Sequence, residues 1–163
     1  MRKDKRTRIK REKPEYDQKL LDLARVTRVV KGGRRFRFRA TLVIGNKKGC
    51  VGVGVGKGAD VVDAIKKAFD DGKKHLINID VKKNTIPHDV LIKSGSAKVM
   101  FKPAPEGRGI VAGGAVRAVV DLVGIKDIIS KSMGTANKLN LARATVKALE
   151  SFGKSKKREE RLK

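Results

Sequence analysis

Between Arg35 and Ile44 the side chains alternate: Phe36, Phe38, Ala40, Leu42 and Ile44 hold one parity, and Arg35, Arg37, Arg39 and Thr41 the other. A strand sends these two sets to opposite faces, so the segment fits one layer of a sheet with an apolar side and a guanidinium side. Just ahead of it stands Lys31-Gly32-Gly33-Arg34, which reads as a hairpin turn because adjacent glycines permit the positive φ that tight connections require. Residues 20–30 are dense in apolar and β-branched side chains but alternate imperfectly. They read as the partner strand, with a helical start left open.

A second turn, Gly45-Asn46-Lys47-Lys48-Gly49, is followed by Val51, Val53 and Val55 alternating with Gly52, Gly54 and Gly56. The implied third strand has one valine face and one nearly bare face. Bareness argues that side chains are excluded so that another backbone, from RNA or the neighbouring domain, can approach. Asp60 is placed to cap a helix in which Val61, Ile65, Ala68 and Phe69 recur at helical spacing. Short β-like segments then return at 77–81, 90–93 and 98–101, interrupted by Ile86-Pro87. Beyond the loop 103–109 the pattern predicts a helix from Gly114 to Val123, ended by Gly124. A last helix is predicted over 137–152, capped by Asn137 and stopped by Gly153.

This order predicts an α+β fold of two small domains. The chain divides into a basic tail (1–13), disordered until bound, a first domain (14–76), a second (77–153) and another basic tail (154–163).

Charge narrows the function. Forty-one Lys and Arg against 17 Asp and Glu leave +24, of which the two tails carry +6 and +4, so the remainder still holds +14. Such a fold repels itself unless a polyanion neutralises it, and nucleic acid is the obvious one. Arg35, Arg37 and Arg39 repeat at about 7 Å along a strand, close to the phosphate spacing of a nucleic acid strand, and arginine presents a planar fork to phosphate oxygens. No acid lies between Lys31 and Leu42 to balance them.

Other chemistries find little support. The run from Gly49 to Gly58 lacks the P-loop spacing, since Val51 stands where its first glycine belongs and Gly58 follows Lys57 where Ser or Thr belongs. A second glycine cluster, Gly107-Arg108-Gly109 to Gly113-Gly114, precedes a helix and suits either a phosphate or a plain tight loop. Lys131, Lys138, Arg117 and Arg143 lie near it in sequence. His75 and His88 have no Ser and acid grouping around them, and Cys50, the one cysteine, supports neither an internal disulfide nor a zinc site. Neither catalysis nor a cofactor is expected. No run approaches a membrane span and no secretory leader is read; the lone Cys50, with no disulfide partner, fits a cytosolic setting. Phe36 and Phe38 read as core, leaving backbone and shape recognition of folded RNA.

Several motifs in order resemble one family, the bacterial-type fifth protein of the small ribosomal subunit, here S-five. They are Arg25-Val26, Val29-Val30-Lys31-Gly32-Gly33-Arg34-Arg35, Gly45-Asn46, Gly52-Val53-Gly54-Val55-Gly56-Lys57, Ala64-Ile65-Lys66-Lys67-Ala68, Thr85-Ile86-Pro87-His88, Ala112-Gly113-Gly114 with Arg117-Ala118-Val119, and Ala144-Thr145. The resemblance covers about residues 20–152. It implies an N-terminal domain similar to the double-stranded-RNA-binding fold, with three antiparallel strands and a helix, and a C-terminal βαβ-type domain with a left-handed crossover, against the usual hand. It also implies binding to 16S rRNA, contacts with S-four and S-eight, a place along the path by which mRNA enters, an influence on decoding accuracy, and a Lys31-Gly32-Gly33 loop reaching toward the subunit neck. Expected rRNA-binding residues are Lys31, Gly32, Gly33, Arg34, Arg35, Arg37, Arg39, Lys57 and Arg117. Arg108, Thr135 and Lys138 stand where many relatives have Thr, Ser and Pro. A free duplex-RNA-binding regulator and a nucleotide-acting enzyme are the competing readings.

Overall fold

The computed structural model describes residues 15–79 and 84–160. The tail 1–13, with the disorder expected of it, lies outside the described residues. Eleven elements follow in order: β1 (Asp17–Val30), β2 (Gly33–Gly45), β3 (Cys50–Gly58), α1 (Val61–Lys74), β4 (Ile77–Asn78), β5 (Val90–Ser94), β6 (Ala97–Pro103), β7 (Ile110–Val111), α2 (Gly114–Val123), β8 (Ile128–Met133) and α3 (Lys138–Glu160). They build two sheets, one antiparallel in the order β1-β2-β3-β4 and one mixed in the order β5-β6-β8-β7. The architecture is α+β in two domains, as expected. Residues 20–30 are strand throughout, so the helical start is not taken. Ile77 and Asn78, on the far side of the 76/77 division, pair with Val51 and Cys50 of the first sheet.

The bare face of β3 has a clear cause. A Cβ at Gly52, Gly54, Gly56 or Gly58 would run into α1 backbone, at Gly72, Ala68 and Gly72, Ala64 and Ala68, and Ala64 respectively. The backbone that approaches is therefore the domain's own helix, not RNA or the second domain. The buried residues of α1 are small to match, Ala64, Ala68 and Gly72. Ala40, Leu42 and Ile44 of β2 join Ala64 and Ala68 in this core. Asp60 takes the N-cap position but makes no side-chain cap bond; the Asp71 carboxylate instead accepts the Val55 N–H at 2.9 Å, closing part of the free edge of β3.

At its inner end the first sheet is covered on both faces. Val43 and Val51 belong to the larger core, with Val119, Val120, Leu122 and Val123 of α2 and Leu149 and Phe152 of α3. Hence Thr41 and Val43 are buried even though they share the arginine parity. The β2–β3 turn plugs the end of α2: the Lys47 and Gly49 N–H groups donate at 2.9 Å to the carbonyls of Leu122 and Val123, groups that a helix C-terminus otherwise leaves unpaired. Asn46 shapes that turn, its Oδ1 accepting from the Lys48 and Cys50 amides. Gly124 ends α2 in the left-handed region, φ 97°.

Two elements depart from the sequence reading. β8, the central partner of β6 and β7, was not foreseen, because its pattern Ile128-Ile129-Ser130-Lys131-Ser132-Met133 alternates only weakly. Asn137 caps α3 as expected, its Oδ1 accepting from Leu139 and Asn140, but the helix runs through Gly153 to Glu160. Glycine within a helix costs only about 0.5–1 kcal/mol relative to alanine, and the Lys, Arg and Glu that follow are good helix formers.

Candidate nucleic-acid interface

β3 ends at Gly58, opposite Phe38. Beyond that rung β1 and β2 continue alone for five more, from Val26↔Arg37 to Val30↔Gly33. At roughly 3.4 Å per residue this two-stranded ribbon projects about 17 Å. Its turn is Lys31-Gly32, and the positive φ falls on Gly33 alone (137°). Lys31, Gly32, Gly33, Arg34, Arg35, Phe36 and Arg37 are all exposed.

Register sorts the cations by face. Arg28 lies opposite Arg35, and Arg39 opposite Lys57, so these four and Arg37 share one face. That face continues into Val43, where the second domain covers the sheet. Arg25, paired with Phe38, and Arg34, paired with Val29, project from the other. Like charges directly opposite one another destabilise a ladder. Among the described residues no carboxylate pairs with Arg25, Arg28, Lys31, Arg34, Arg35 or Arg37.

Arg39 differs from its neighbours. It is half-buried, with its Nη2 3.9 Å from the Asp22 carboxylate, which also takes Lys138 Nζ at 3.0 Å. The balancing acid that β2 lacks is thus supplied by β1. Arg117 lies apart on α2, its guanidinium donating at 2.9 Å to the Ile110 carbonyl. The glycine loop before α2 is a plain tight loop: the Gly109 N–H donates to the Asp127 carboxylate at 2.8 Å, and Gly107 and Gly109 take positive φ. Lys138 is committed to Asp22, while Lys131 belongs to another surface, so these cations do not gather around the loop. The Tyr16 phenol is pushed above its ordinary range, mainly by the Glu15 carboxylate, and stays neutral at physiological pH.

Two features escaped the sequence reading. Phe36 is not core: it keeps 47% of its surface exposed, with the Arg25 guanidinium 3.7 Å from its ring centroid. Only Phe38 packs against the smaller core. The second feature is the uncovered face of the mixed sheet, where Lys93, Lys98, Lys102 and Lys131 stand exposed among Leu91, Met100, Ile129 and Met133. Lys93 and Lys98 are direct cross-strand partners.

Among the described residues no group of three or more His, Cys, Asp or Glu is placed to hold a metal, and no helix is long and apolar enough to cross a membrane. Residues 16–80 match the family model for the ribosomal protein S5 N-terminal domain, and residues 92–160 that for its C-terminal domain. The small ribosomal subunit protein uS5 of Campylobacter jejuni is 52% identical over 135 residues, covering 83% of this chain and 92% of that one. The uS5 protein of Trichormus variabilis is 49% identical over 149 residues, covering 91% and 86%. With both domains matched in order, and near half of all positions identical to these relatives, the chain belongs to the ribosomal protein S5 family, a family of structural, non-enzymatic components of the small ribosomal subunit.

Proposed function

We propose that this chain is a structural constituent of the cytoplasmic small ribosomal subunit that binds 16S rRNA through its β1–β2 ribbon. The observation that carries this reading is a projecting hairpin whose five cations, Arg28, Lys31, Arg34, Arg35 and Arg37, meet no carboxylate among the described residues, and which has no acid of its own. Lys31, Arg34, Arg35 and Arg37 contact phosphates, Gly32 and Gly33 let the turn approach closely, and Lys57 extends the charged face at its base. Arg39 contributes charge from the joint between the domains, and Arg117 from the second domain. The chain's units are 14–76 and 77–153 with tails 1–13 and 154–163, although β4 returns to the first sheet and α3 runs on past 153 to Glu160.

Family membership supports the finer roles: assembly of the subunit, neighbours S-four and S-eight, a position along the path by which mRNA enters, and a part in translational accuracy. The test is replacement of the chromosomal copy by a variant with Arg34, Arg35 and Arg37 changed to Gln. Sedimentation after a high-salt wash should recover the native protein stoichiometrically in small subunits and the variant at a fraction of that. Equal recovery would remove the ribbon from the interface; a native chain that stays off subunits would favour a free duplex-RNA regulator.

A further inference from the structure

Among the described residues Phe36 belongs to neither apolar core. It sits on the two-stranded part of the ribbon, past the last rung that β3 supports. Exposing a phenylalanine forgoes the 1.5–3 kcal/mol or so that burial would contribute, and an apolar side chain amid six cations does nothing for solubility. Arg25 lies over the ring at 3.7 Å. With the guanidinium over the ring, 47% of the residue still stands open to solvent.

We propose that Phe36, backed by Arg25, is a stacking platform for one unpaired RNA base. An aromatic face takes any base, and the chemistry needs only a nucleotide free of its helix. The cations supply the rest: Arg35 and Arg37 flank Phe36 in sequence and point to the opposite face of the ribbon, so a strand whose phosphates they hold passes a ribbon edge beside the ring. Arg25 holds the ring by a cation–π contact and adds positive charge under the stacked base. The ribbon thereby reads a structural feature, a bulge or a splayed base, that phosphate contacts alone cannot distinguish from regular duplex. This inference rests on the ribbon's binding RNA.

The full-length protein would be titrated with a short RNA duplex bearing one bulged 2-aminopurine and with the same duplex lacking the bulge. Native protein should prefer the bulged RNA and change its fluorescence on binding. Phe36→Leu, which keeps apolar bulk without a π face, should lose about tenfold on the bulged RNA alone, in line with the measured worth of one stacked base, while Phe36→Tyr retains the preference. Equal losses on both RNAs, or no loss, would overturn the platform, as would a native protein that binds both equally. Native protein that binds neither RNA would overturn the reading of the ribbon itself, and Phe36 would then fit an apolar protein side chain.

Discussion

Asp22 of β1 stands between two cations from distant parts of the chain, Arg39 Nη2 at 3.9 Å and Lys138 Nζ at 3.0 Å. One carboxylate therefore ties the base of the ribbon to the first turn of α3. Lysine at a helix start opposes the helix dipole, and the Asp22 contact offsets that cost. Asp22→Asn should lower stability by about 1 kcal/mol, since partly exposed pairs contribute about 0.2–1 kcal/mol each. Thermal unfolding should show a Tm lower by roughly 2–4 °C, with the gap narrowing at high salt. A drop independent of salt would mean that Asp22 acts through packing instead.

The same geometry separates two arginines that the sequence makes equivalent. Arg37→Ala should reduce the slope of log binding constant against log salt by about 0.7–0.9, one phosphate contact, and leave Tm unchanged. Arg39→Ala should lower Tm and change the slope less. Filter binding to 16S rRNA across a salt series, beside calorimetry, checks both. Identical effects from the two substitutions would contradict the division of roles.

Gly54→Ala should be severe. Its methyl group would meet the Ala68 carbonyl and the Gly72 backbone, neither of which can rotate away, so α1 must lift from the sheet at a cost of roughly 1–3 kcal/mol or more. Gly32→Ala is the matched control, with nothing within 4 Å of the new atom. Urea titration that finds the two alike would show that α1 does not press against β3 at Gly54.

Gly153→Ala distinguishes a helix that passes through from one that stops. With α3 continuing to Glu160, alanine should raise stability by about 0.5–1 kcal/mol. A glycine closing the helix in the left-handed region would make the same change destabilising.

How far the sequence could be read depended on whether one strand or several decided the outcome. The alternation of β2 located the ribbon and both its faces, and Asn137 and Gly124 marked their helix ends, because each of those signals is local. Burial of Thr41 and Val43 was not legible, since it depends on α2, which lies about 70 residues on in the chain. Phe36 failed for the opposite reason: parity says which way a side chain points, and only the end of β3 says that nothing is there to meet it. Asp22 was invisible to any argument confined to β2. β8 was hidden by serines at Ser130 and Ser132, which the buried side of the sheet tolerates because α2 and α3 supply the apolar bulk.

The shared core around Val43, Val51 and Val119 makes the molecule a fixed bracket. One core thus carries both the base of the ribbon and the second sheet that bears the lysine face. An RNA held by the ribbon that also reached the lysine face would meet it as an intramolecular partner. RNA folds of the wrong span would gain only one contact.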